Sequence, residues 1–350
     1  MGILVSILVL SFLIFFHELG HFLAARYFGV KVETFSIGFG RVIFSRRVGD
    51  TLYAISAIPL GGYVKMKGQD DANPLAKSYD EDSYDAKTPL QRIAILFAGP
   101  FANFLLAFFI YVGISLGSIQ ELASVVGEVA PDSPALKAGL KSGDRIVAIN
   151  RVEVKTWQDM GDLIKKSNGS ILVTLLEDGK YKNITINPKI QVVKNIFGEE
   201  SQKRVIGISP KGEFITIKLS FMQSIEYGYN KTVEASYLIV KSVQKLIQGV
   251  IPSSEVGGIV SIVQATSQAS EVGFIALLGL TALISVNLGV LNLLPIPALD
   301  GGHIIFNIYE MIFKKPASDK VMYKLTIAGW IALFSLMALG LYNDINRLIG

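Results

Sequence analysis

The chain has 350 residues, of which 51% are hydrophobic and 18% charged, and it contains no cysteine. This composition excludes an ordinary soluble protein, disulfide bonds and thiolate metal sites, so only histidine and carboxylate side chains remain as metal ligands. The net charge of +4 comes without a long basic tract, which favours loop charges that set membrane topology over nucleic-acid binding. We therefore expect a multi-pass protein of the lipid bilayer with one soluble module and no nucleic-acid partner.

The first predicted span covers residues 1–26 and contains the motif His17-Glu18-Leu19-Gly20-His21 near its end. The preceding sixteen residues are apolar and lack Lys and Arg, so a cleaved signal peptide is the competing interpretation. A signal peptide needs a basic start and a small-residue cleavage site, whereas this apolar run continues directly into the motif. We expect a retained transmembrane helix.

The motif has the HExxH spacing of metal-dependent hydrolases. On a helix, His17 and His21 share one face within reach of a single ion, and Glu18 is turned by roughly 100° from His17. Neutral imidazoles suit Zn²⁺, and the adjacent carboxylate can accept a proton from water. A chance pair is the alternative, but the chain has only three histidines, and ionisable groups inside a span are functional candidates by default.

The loop of residues 27–91 is predicted to be cytoplasmic. Ten Lys or Arg lie from Arg26 to Arg92 and none precedes Arg26, so the positive-inside rule places the N-terminus outside. β-Branched and aromatic residues broken by glycines predict short strands. The stretch Gly61-Gly62-Tyr63-Val64 is either an open strand edge for an extended segment or an ordinary hairpin. Residues 68–88 are acidic and proline-punctuated, which predicts a mobile linker.

The second predicted span, residues 92–117, carries one conspicuous polar side chain, Asn103. A glycine and a proline just ahead of it allow neighbouring helices to approach closely. We expect Asn103 to serve helix packing and not catalysis. This crossing places the next segment, residues 121–191, outside.

Residues 121–191 are soluble in composition and contain three characteristic runs: SPA at 133–135, AGL at 138–140 and GDRIVAIN at 143–150. These runs resemble a PDZ domain of the bacterial protease type. The resemblance implies a groove for an extended peptide or a chain end, predicted at Val125, Val126, Gly127 and Val129. A plug or size filter that binds no peptide is an alternative that the sequence supports equally well.

Residues 192–271 show apolar residues at roughly helical spacing from Phe214 to Val240, which predicts amphipathic helices at the outer interface. A third span follows at residues 272–303. The loop of residues 304–323 is basic and therefore predicted to be cytoplasmic, and a fourth span, residues 324–343, returns the chain to the outside.

The third span holds Asn287 and Asn292 and is broken by two prolines ahead of Asp300. A broken helix end at membrane depth is tolerated only where protein buries it or where it lines a cavity. Asp300 therefore needs a partner there, and a metal ion is the natural one. His303 is the alternative third ligand, or it contacts a ligand without binding the metal itself; we favour Asp300 as the ligand.

HELGH, GGYVKM, the PDZ-like segment and ISVNLGVLNLLPIPALDGGH together resemble the site-2 protease family of intramembrane zinc metalloproteases, of the regulator of sigma-E protease type. The resemblance covers essentially the whole chain, with one PDZ domain where many relatives have two. It implies one Zn²⁺ per chain, held by His17, His21 and Asp300, with Glu18 as the base. It also implies contacts to substrate from Asn287, Asn292, Gly61, Gly62, Tyr63 and Val64.

The same resemblance implies an endopeptidase that cleaves the transmembrane segments of single-span membrane proteins, such as anti-sigma factors or remnant signal peptides. Another protease would first shorten their extracytoplasmic part. A non-enzymatic PDZ membrane adaptor with a vestigial metal site is the competing class, but a structural zinc needs no base and usually has four protein ligands. A metal transporter would need more polar residues along the spans.

The predicted fold class is an α-helical polytopic membrane protein with four transmembrane helices, a membrane-associated β-region and one extracytoplasmic PDZ (α+β) domain. The expected location is the bacterial inner (cytoplasmic) membrane, with the N-terminus, PDZ domain and C-terminus extracytoplasmic. The predicted segments are span 1–26, loop 27–91, span 92–117, PDZ domain 121–191, PDZ C-terminal region 192–271, span 272–303, loop 304–323 and span 324–343.

Overall fold

The computed structural model describes residues 2–69, 78–177, 179–195 and 197–349. The helices are α1 (Gly2–Tyr27), α2 (Pro89–Gly117), α3 (Pro134–Lys137), α4 (Trp157–Lys166), α5 (Phe221–Ile247), α6 (Ile259–Val272), α7 (Phe274–Asn292), α8 (Asp300–Phe313) and α9 (Asp319–Ile349). The strands are β1 (Val32–Val48), β2 (Thr51–Met66), β3 (Ile119–Leu122), β4 (Val126–Val129), β5 (Arg145–Ile149), β6 (Val152–Glu153), β7 (Ile171–Glu177), β8 (Lys180–Ile186), β9 (Lys189–Lys194), β10 (Glu200–Val205), β11 (Ile208–Pro210) and β12 (Phe214–Ile217).

The chain divides into two compact units. The first combines the residues up to Ile114 with those from Gln223 onward, and the second is Ser115–Met222. The first unit contains the helices that carry the motifs singled out above, and the second contains the PDZ-like segment.

Four helices of the described chain are long and apolar enough to cross a membrane, namely α1, α2, α7 and α9. This confirms the four apolar spans that the sequence predicts. Within a bilayer a helix is favoured because it satisfies all its backbone hydrogen bonds internally.

The third span differs from its predicted form. It ends as a helix at Asn292, and a separate helix, α8, begins at Asp300. Pro295 and Pro297 lie between them and have no N–H to continue a helical ladder. The segment predicted as loop 304–323 is helical as far as Phe313 and again from Asp319, where α9 begins.

The strands after α1 are long and bent rather than short. Residues 32–37 of β1 pair with residues 52–55 of β2 on one side and with residues 62–66 of β2 on the other. The bend follows Gly38 and Gly40, whose φ angles of 90° and 81° are readily adopted only by glycine. The 62–66 ribbon thus lies at one edge of the sheet, and no other described strand pairs with its outer side.

Residues 78–88 fold against this sheet, where the sequence predicts a mobile linker. Tyr84 is buried, and its backbone N–H donates to the carbonyl of Lys67 at 2.8 Å. The Lys67 ammonium lies 2.8 Å from a carboxylate oxygen of Asp80 and 2.6 Å from one of Asp82. Burial of one aromatic ring and this ion cluster order the segment; the rest of the predicted linker, residues 70–77, lies outside the described residues.

One apolar core of the first unit joins α1, the sheet and α2, and it surrounds the motif on α1. Its buried members are Phe22, Ala25, Val30, Val32, Phe35, Met66, Tyr84, Ile95 and Leu96. The core fixes the distance from the motif helix to the sheet edge.

The second unit is built on an antiparallel sheet in the order β6-β5-β7-β8. Helix α4 packs on it through Met160 and Ile164, and Thr156 and Asp159 form a capping box at its start.

The unit extends beyond the predicted domain of residues 121–191. Residues 189–217 form strands: β9 pairs with β10, β11 with β4, and β12 with β3. The prediction of a helical pattern from Phe214 was wrong at its start, because Phe214–Ile217 alternates its exposure as a strand and the helix α5 begins at Phe221.

Candidate metal centre and active site

His17 and His21 lie one turn apart on α1 and direct their rings into the same space of the first unit. Each residue is only 7% exposed, and their Nε2 atoms are 3.2 Å apart. The helical spacing of four residues places both side chains on one face. Two buried imidazole nitrogens that converge in an apolar helix form a ligand pair for a cation.

Asp300, the first residue of α8, brings a carboxylate to the two histidines. Its Oδ2 lies 3.3 Å from Nε2 of His17 and 3.4 Å from Nε2 of His21. A Cβ added at Gly301 or Gly302 would overlap carbonyl groups of the preceding turn. The two glycines therefore allow the start of α8 to lie against that turn, which sets the position of Asp300.

The three ligand atoms fit a tetrahedral zinc site. Zinc bonds of about 2.0–2.2 Å place two tetrahedral ligand atoms about 3.3–3.6 Å apart. The three observed separations are 3.2, 3.3 and 3.4 Å. Oδ2 of Asp300 is buried and has no hydrogen-bond partner in the described part of the chain, so its lone pairs are directed at the shared space. Three protein ligands with one open position are the donor set of a catalytic zinc site.

The orientation of His21 is fixed from α2. Its Nδ1 lies 2.9 Å from the backbone carbonyl oxygen of Ile95, which can only accept a hydrogen bond. Nδ1 therefore carries the ring proton and donates it, and Nε2 presents its lone pair to a metal.

Close approach of α1 and α2 requires glycine at two positions. A Cβ at Gly20 would overlap the carbonyl oxygen of Ala98, and a Cβ at Gly99 would overlap the ring of His21. The glycine ahead of the proline in α2 thus makes room for the imidazole of His21, which is more specific than the general helix packing that the sequence predicts.

A cavity of 850 Å³ opens beside the three ligands, and Glu18 lines it. Gly62 of β2 lies next to this carboxylate, since a Cβ added at Gly62 would stand 3.3 Å from Cγ of Glu18. The other walls come from the edge of β2, from Asn292 and His303, and from one face of α9: Tyr63, Val64, Lys65, Met66, Tyr323, Thr326, Ile327, Trp330 and Phe334.

The residues predicted to contact substrate separate into two groups. Gly62, Tyr63, Val64 and Asn292 line the cavity, and Nδ2 of Asn292 lies 3.4 Å from Nε2 of His17. The remaining two residues, Gly61 and Asn287, do not line the cavity. Gly61 packs against the ring of Phe39, and Asn287 is on an exposed face of α7.

His303 lines the cavity but stands apart from the ligand atoms. Within the described chain, the ligand atoms that lie within 4.8 Å of one another belong to His17, His21 and Asp300. The geometry thus groups the two histidines with Asp300 and leaves His303 at the wall.

The predicted peptide-binding strand of the second unit, β4, has no continuous free edge. Val126 and Val129 pair with Pro210 and Ile208 of β11. On its other side, the carbonyl of Val126 accepts a hydrogen bond from the N–H of Gly143, and the N–H of Val126 donates one to the carbonyl of Asp144. Val125 and Val126 are therefore buried, Gly127 and Val129 are partly buried, and the chain's own β11 occupies one edge of β4.

Asn103 is the site residue whose contact the sequence analysis missed. Its side-chain amide lies 3.0 Å from Nδ1 of His17, on the ring edge opposite the shared space. A polar side chain in an apolar span is itself a functional signal. The sequence does not show, however, which face of α2 meets α1.

Four apolar helices and a buried His-His-carboxylate centre beside a glutamate define a membrane metalloprotein with a catalytic type of donor set. A profile of Peptidase family M50 matches residues 5–336. The chain belongs to this family, the site-2 protease family, and is a metalloendopeptidase.

Three relatives of the chain align with 98–99% of its length. A Campylobacter jejuni protein is 46% identical over 347 residues, with 99% of this chain and 94% of the relative aligned. A Helicobacter pylori protein is 38% identical over 99% of both chains, and a Clostridium acetobutylicum protein is 38% identical over 98% of this chain and 97% of its own. Each of the three is named "Putative zinc metalloprotease", with or without a locus tag.

Proposed function

We propose that the chain is a zinc-dependent intramembrane endopeptidase that cleaves the transmembrane segments of single-span membrane proteins. The observation that carries this proposal is the convergence of His17, His21 and Asp300 beside Glu18, in a unit whose helices are apolar enough for a bilayer. One zinc ion per chain follows from one such group of ligands.

The metal ligands and Glu18 have separate roles in amide hydrolysis. Bound by His17, His21 and Asp300, zinc supplies Lewis-acid chemistry, which polarises the scissile carbonyl and lowers the pKa of a water molecule. The carboxylate of Glu18 accepts the proton of the attacking water and returns it to the leaving amide nitrogen. Glu18 suits this role because it adjoins a ligand in the chain and lines the cavity.

The outer edge of residues 62–66 supports binding of the substrate as an added strand. A transmembrane helix hides its amides in its own hydrogen bonds, so it must unwind before a peptide bond can be cut. An open strand edge replaces the lost bonds with backbone hydrogen bonds. This edge lines the cavity next to Glu18, as such a role requires.

The amide of Asn292 is the side-chain candidate for contacting the substrate. It lines the cavity close to His17, so its N–H groups are available to the carbonyl oxygen that gains charge during the reaction. Asn287 lies outside the cavity wall, and a role for it requires a substrate that extends along α7.

The substrate class follows the resemblance to the regulator of sigma-E protease type. Single-span proteins of the anti-sigma factor type, and remnant signal peptides, would be cleaved after another protease has removed most of their extracytoplasmic part. The distribution of Lys and Arg supports a bacterial inner-membrane topology with the loops after α1 and α8 in the cytoplasm. The N-terminus, the second unit and the C-terminus are then extracytoplasmic.

We assign the second unit as a PDZ domain that binds a peptide or a substrate chain end. Since β11 pairs with β4 on one side, the edge of β11 that has no described strand partner replaces β4 as the proposed peptide edge. The unit's sheet, its capped helix α4 and the Ser133-capped turn α3 support the assignment.

The test is cleavage of a reporter with one transmembrane segment and a short outer tail, in liposomes, with bound zinc measured on the same samples. Wild type is expected to cut the reporter. Glu18→Gln is expected to hold the same zinc and to cut at least about 10²-fold more slowly, because it has lost the base. Glu177→Gln, an exposed carboxylate of the second unit that pairs with Lys182, is the matched control and should cut like wild type.

Full cleavage by Glu18→Gln would refute the role of Glu18. Wild type that contains zinc but cuts none of several short-tailed segments would refute the substrate class. Wild type that binds no zinc would refute the metal site itself.

A further inference from the structure

Asn103 of α2 is fully buried, and its side chain is directed at a proposed metal ligand. Its Nδ2 position lies 3.0 Å from Nδ1 of His17, and its Oδ1 position has no hydrogen-bond partner among the residues that the structure describes. The backbone carbonyl of Asn103 accepts a hydrogen bond of 2.8 Å from the hydroxyl of Ser285 on α7. The residue is therefore held by its backbone, with the amide facing the His17 ring.

The proton on His17 must be on the nitrogen that faces Asn103 if the other nitrogen binds zinc. Nε2 of His17 is the atom that converges with Asp300 and His21. A metal ligand needs its lone pair, so the neutral ring carries its proton on Nδ1 and donates it. The group opposite Nδ1 has to accept a hydrogen bond.

An asparagine amide can meet this requirement in only one of its two orientations. Its oxygen and nitrogen have nearly the same shape and exchange places on rotation by 180° about the last side-chain bond. With Nδ2 toward His17, two donors would face each other in the metal-binding tautomer. With Oδ1 toward His17, the oxygen gains the partner that it lacks.

We propose that Asn103 is a positioning residue whose Oδ1 accepts a hydrogen bond from Nδ1–H of His17 and so holds Nε2 ready for zinc. The backbone carbonyl of Ile95 does the same for His21, so both histidines are oriented by acceptors on α2. This inference rests on the proposed zinc site and adds a residue that is not a ligand.

The experiment measures the zinc dissociation constant of the purified full chain in detergent by competition with a chelator. Asn103→Leu removes the acceptor and should weaken zinc binding about 10- to 100-fold, the usual cost of losing a partner of a metal-bound histidine. Asn103→Asp can only accept a hydrogen bond and should bind zinc at least as tightly as wild type.

Asn307→Leu is the matched control for burying a leucine in place of asparagine. Asn307 is 6% exposed, its amide donates to the backbone carbonyl of His303, and it does not line the cavity. The Asn307→Leu variant should bind zinc with the same affinity as wild type. The visible absorption of the Co²⁺-loaded protein gives a second readout, and its tetrahedral bands should persist in Asn103→Asp and weaken in Asn103→Leu.

Two results would overturn the inference alone: an Asn103→Asp variant that loses as much zinc affinity as Asn103→Leu, or an Asn103→Leu variant with wild-type affinity. The first means that Nδ2 donates to the ring, and the second means that the amide only packs. If Asn103→Leu does not fold, the comparison of Asn103→Asp with wild type still decides. Wild type without zinc binding refutes the proposed metal site and this inference with it.

Discussion

Gly62 of β2 packs directly against Glu18 of α1. A Cβ built on Gly62 would lie 3.3 Å from Cγ of Glu18, 3.2 Å from a methyl carbon of Ile14 and 2.8 Å from the carbonyl oxygen of Ser36. The proposed base and the proposed substrate strand therefore meet where one residue has no side chain. A side chain at this position must displace the carbonyl of Ser36 or the strand that carries it, and it also crowds Glu18.

The first prediction is that Gly62→Ala lowers cleavage of a transmembrane reporter about 10- to 100-fold while zinc content is unchanged. The added methyl group would stand 2.8 Å from the carbonyl oxygen of Ser36 and 3.3 Å from Cγ of Glu18, so the strand edge or the base has to shift, and misplacement of a catalytic group costs rate on this scale. Cleavage rates and bound zinc are measured on the same preparation.

Gly279→Ala is the control for this substitution, because a Cβ at Gly279 of α7 meets no atom within 4 Å. It should cut like wild type. Wild-type cleavage by Gly62→Ala would show that the strand edge and the base are not coupled.

The second prediction concerns the carboxylate ligand. Asp300→Ala should lower zinc affinity by more than the roughly 10- to 100-fold that loss of an outer partner costs, since it removes one of three direct ligands. Asp50→Ala, which removes an exposed carboxylate 3.5 Å from the ammonium of Lys31, serves as the control. Zinc retention by Asp300→Ala after dialysis against a chelator would mean that another residue completes the site.

Local sequence signals predicted the parts of the site that depend on one segment at a time. The four-residue spacing of His17 and His21 requires only that α1 be helical. The prolines ahead of Asp300 predict a broken helix, and a carboxylate at such a break predicts a partner. The long apolar runs predict the four candidate spans for the same reason.

Contacts between segments could not be predicted from the same signals. Asn103 meets His17 only because Gly20 and Gly99 let α1 and α2 approach closely, and the sequence shows the glycines without showing which face they serve. In the second unit, β11 returns from far along the chain to pair with β4, and short strands separated in this way give no local pattern. The groove was predicted at β4 because the SPA and AGL runs locate the domain but not the strand that covers it.

The third prediction separates the two asparagines of α7. Asn292→Ala should lower kcat/KM about tenfold or more with zinc retained, because its amide lies beside the ligands and can donate to the developing oxyanion. Asn287→Ala, on the exposed face of the same helix, should have a smaller effect and is the matched comparison. Steady-state kinetics on the reporter compare kcat/KM in the two variants. A larger loss of kcat/KM in Asn287→Ala than in Asn292→Ala would contradict this account of the cavity wall.

The last prediction is a pH dependence at the cluster that orders residues 78–88. Hydrogen bonds from Lys67 lower the pKa values of Asp80 and Asp82 below their ordinary 3.8, and the same bonds raise the pKa of Lys67 to about 12. Carboxyl groups with lowered pKa values add stability that is present above pH 3.8 and is lost as the pH falls through their folded-state values. The raised pKa of Lys67 adds stability that is present below pH 10.5 and is lost as the pH rises through about 12.

Hydrogen exchange at the amides of Lys31 and Tyr84 reports on this cluster, because they donate to the carbonyls of Asp82 and Lys67. Protection relative to intrinsic rates should be constant near neutral pH and fall below pH 3.8.

The variant Lys67→Met tests the role of the ion cluster. It should lower the protection of these two amides roughly two- to fivefold at neutral pH, which is the size of effect expected from exposed ion pairs, and it should remove the acid dependence. Lys65→Met, which breaks a neighbouring pair, should leave both protection and its pH profile unchanged, because Lys65 pairs with Glu33 on β1 and not with Asp80 or Asp82. Equal losses in the two variants would mean that general sheet charge, and not the Lys67 cluster, orders the segment.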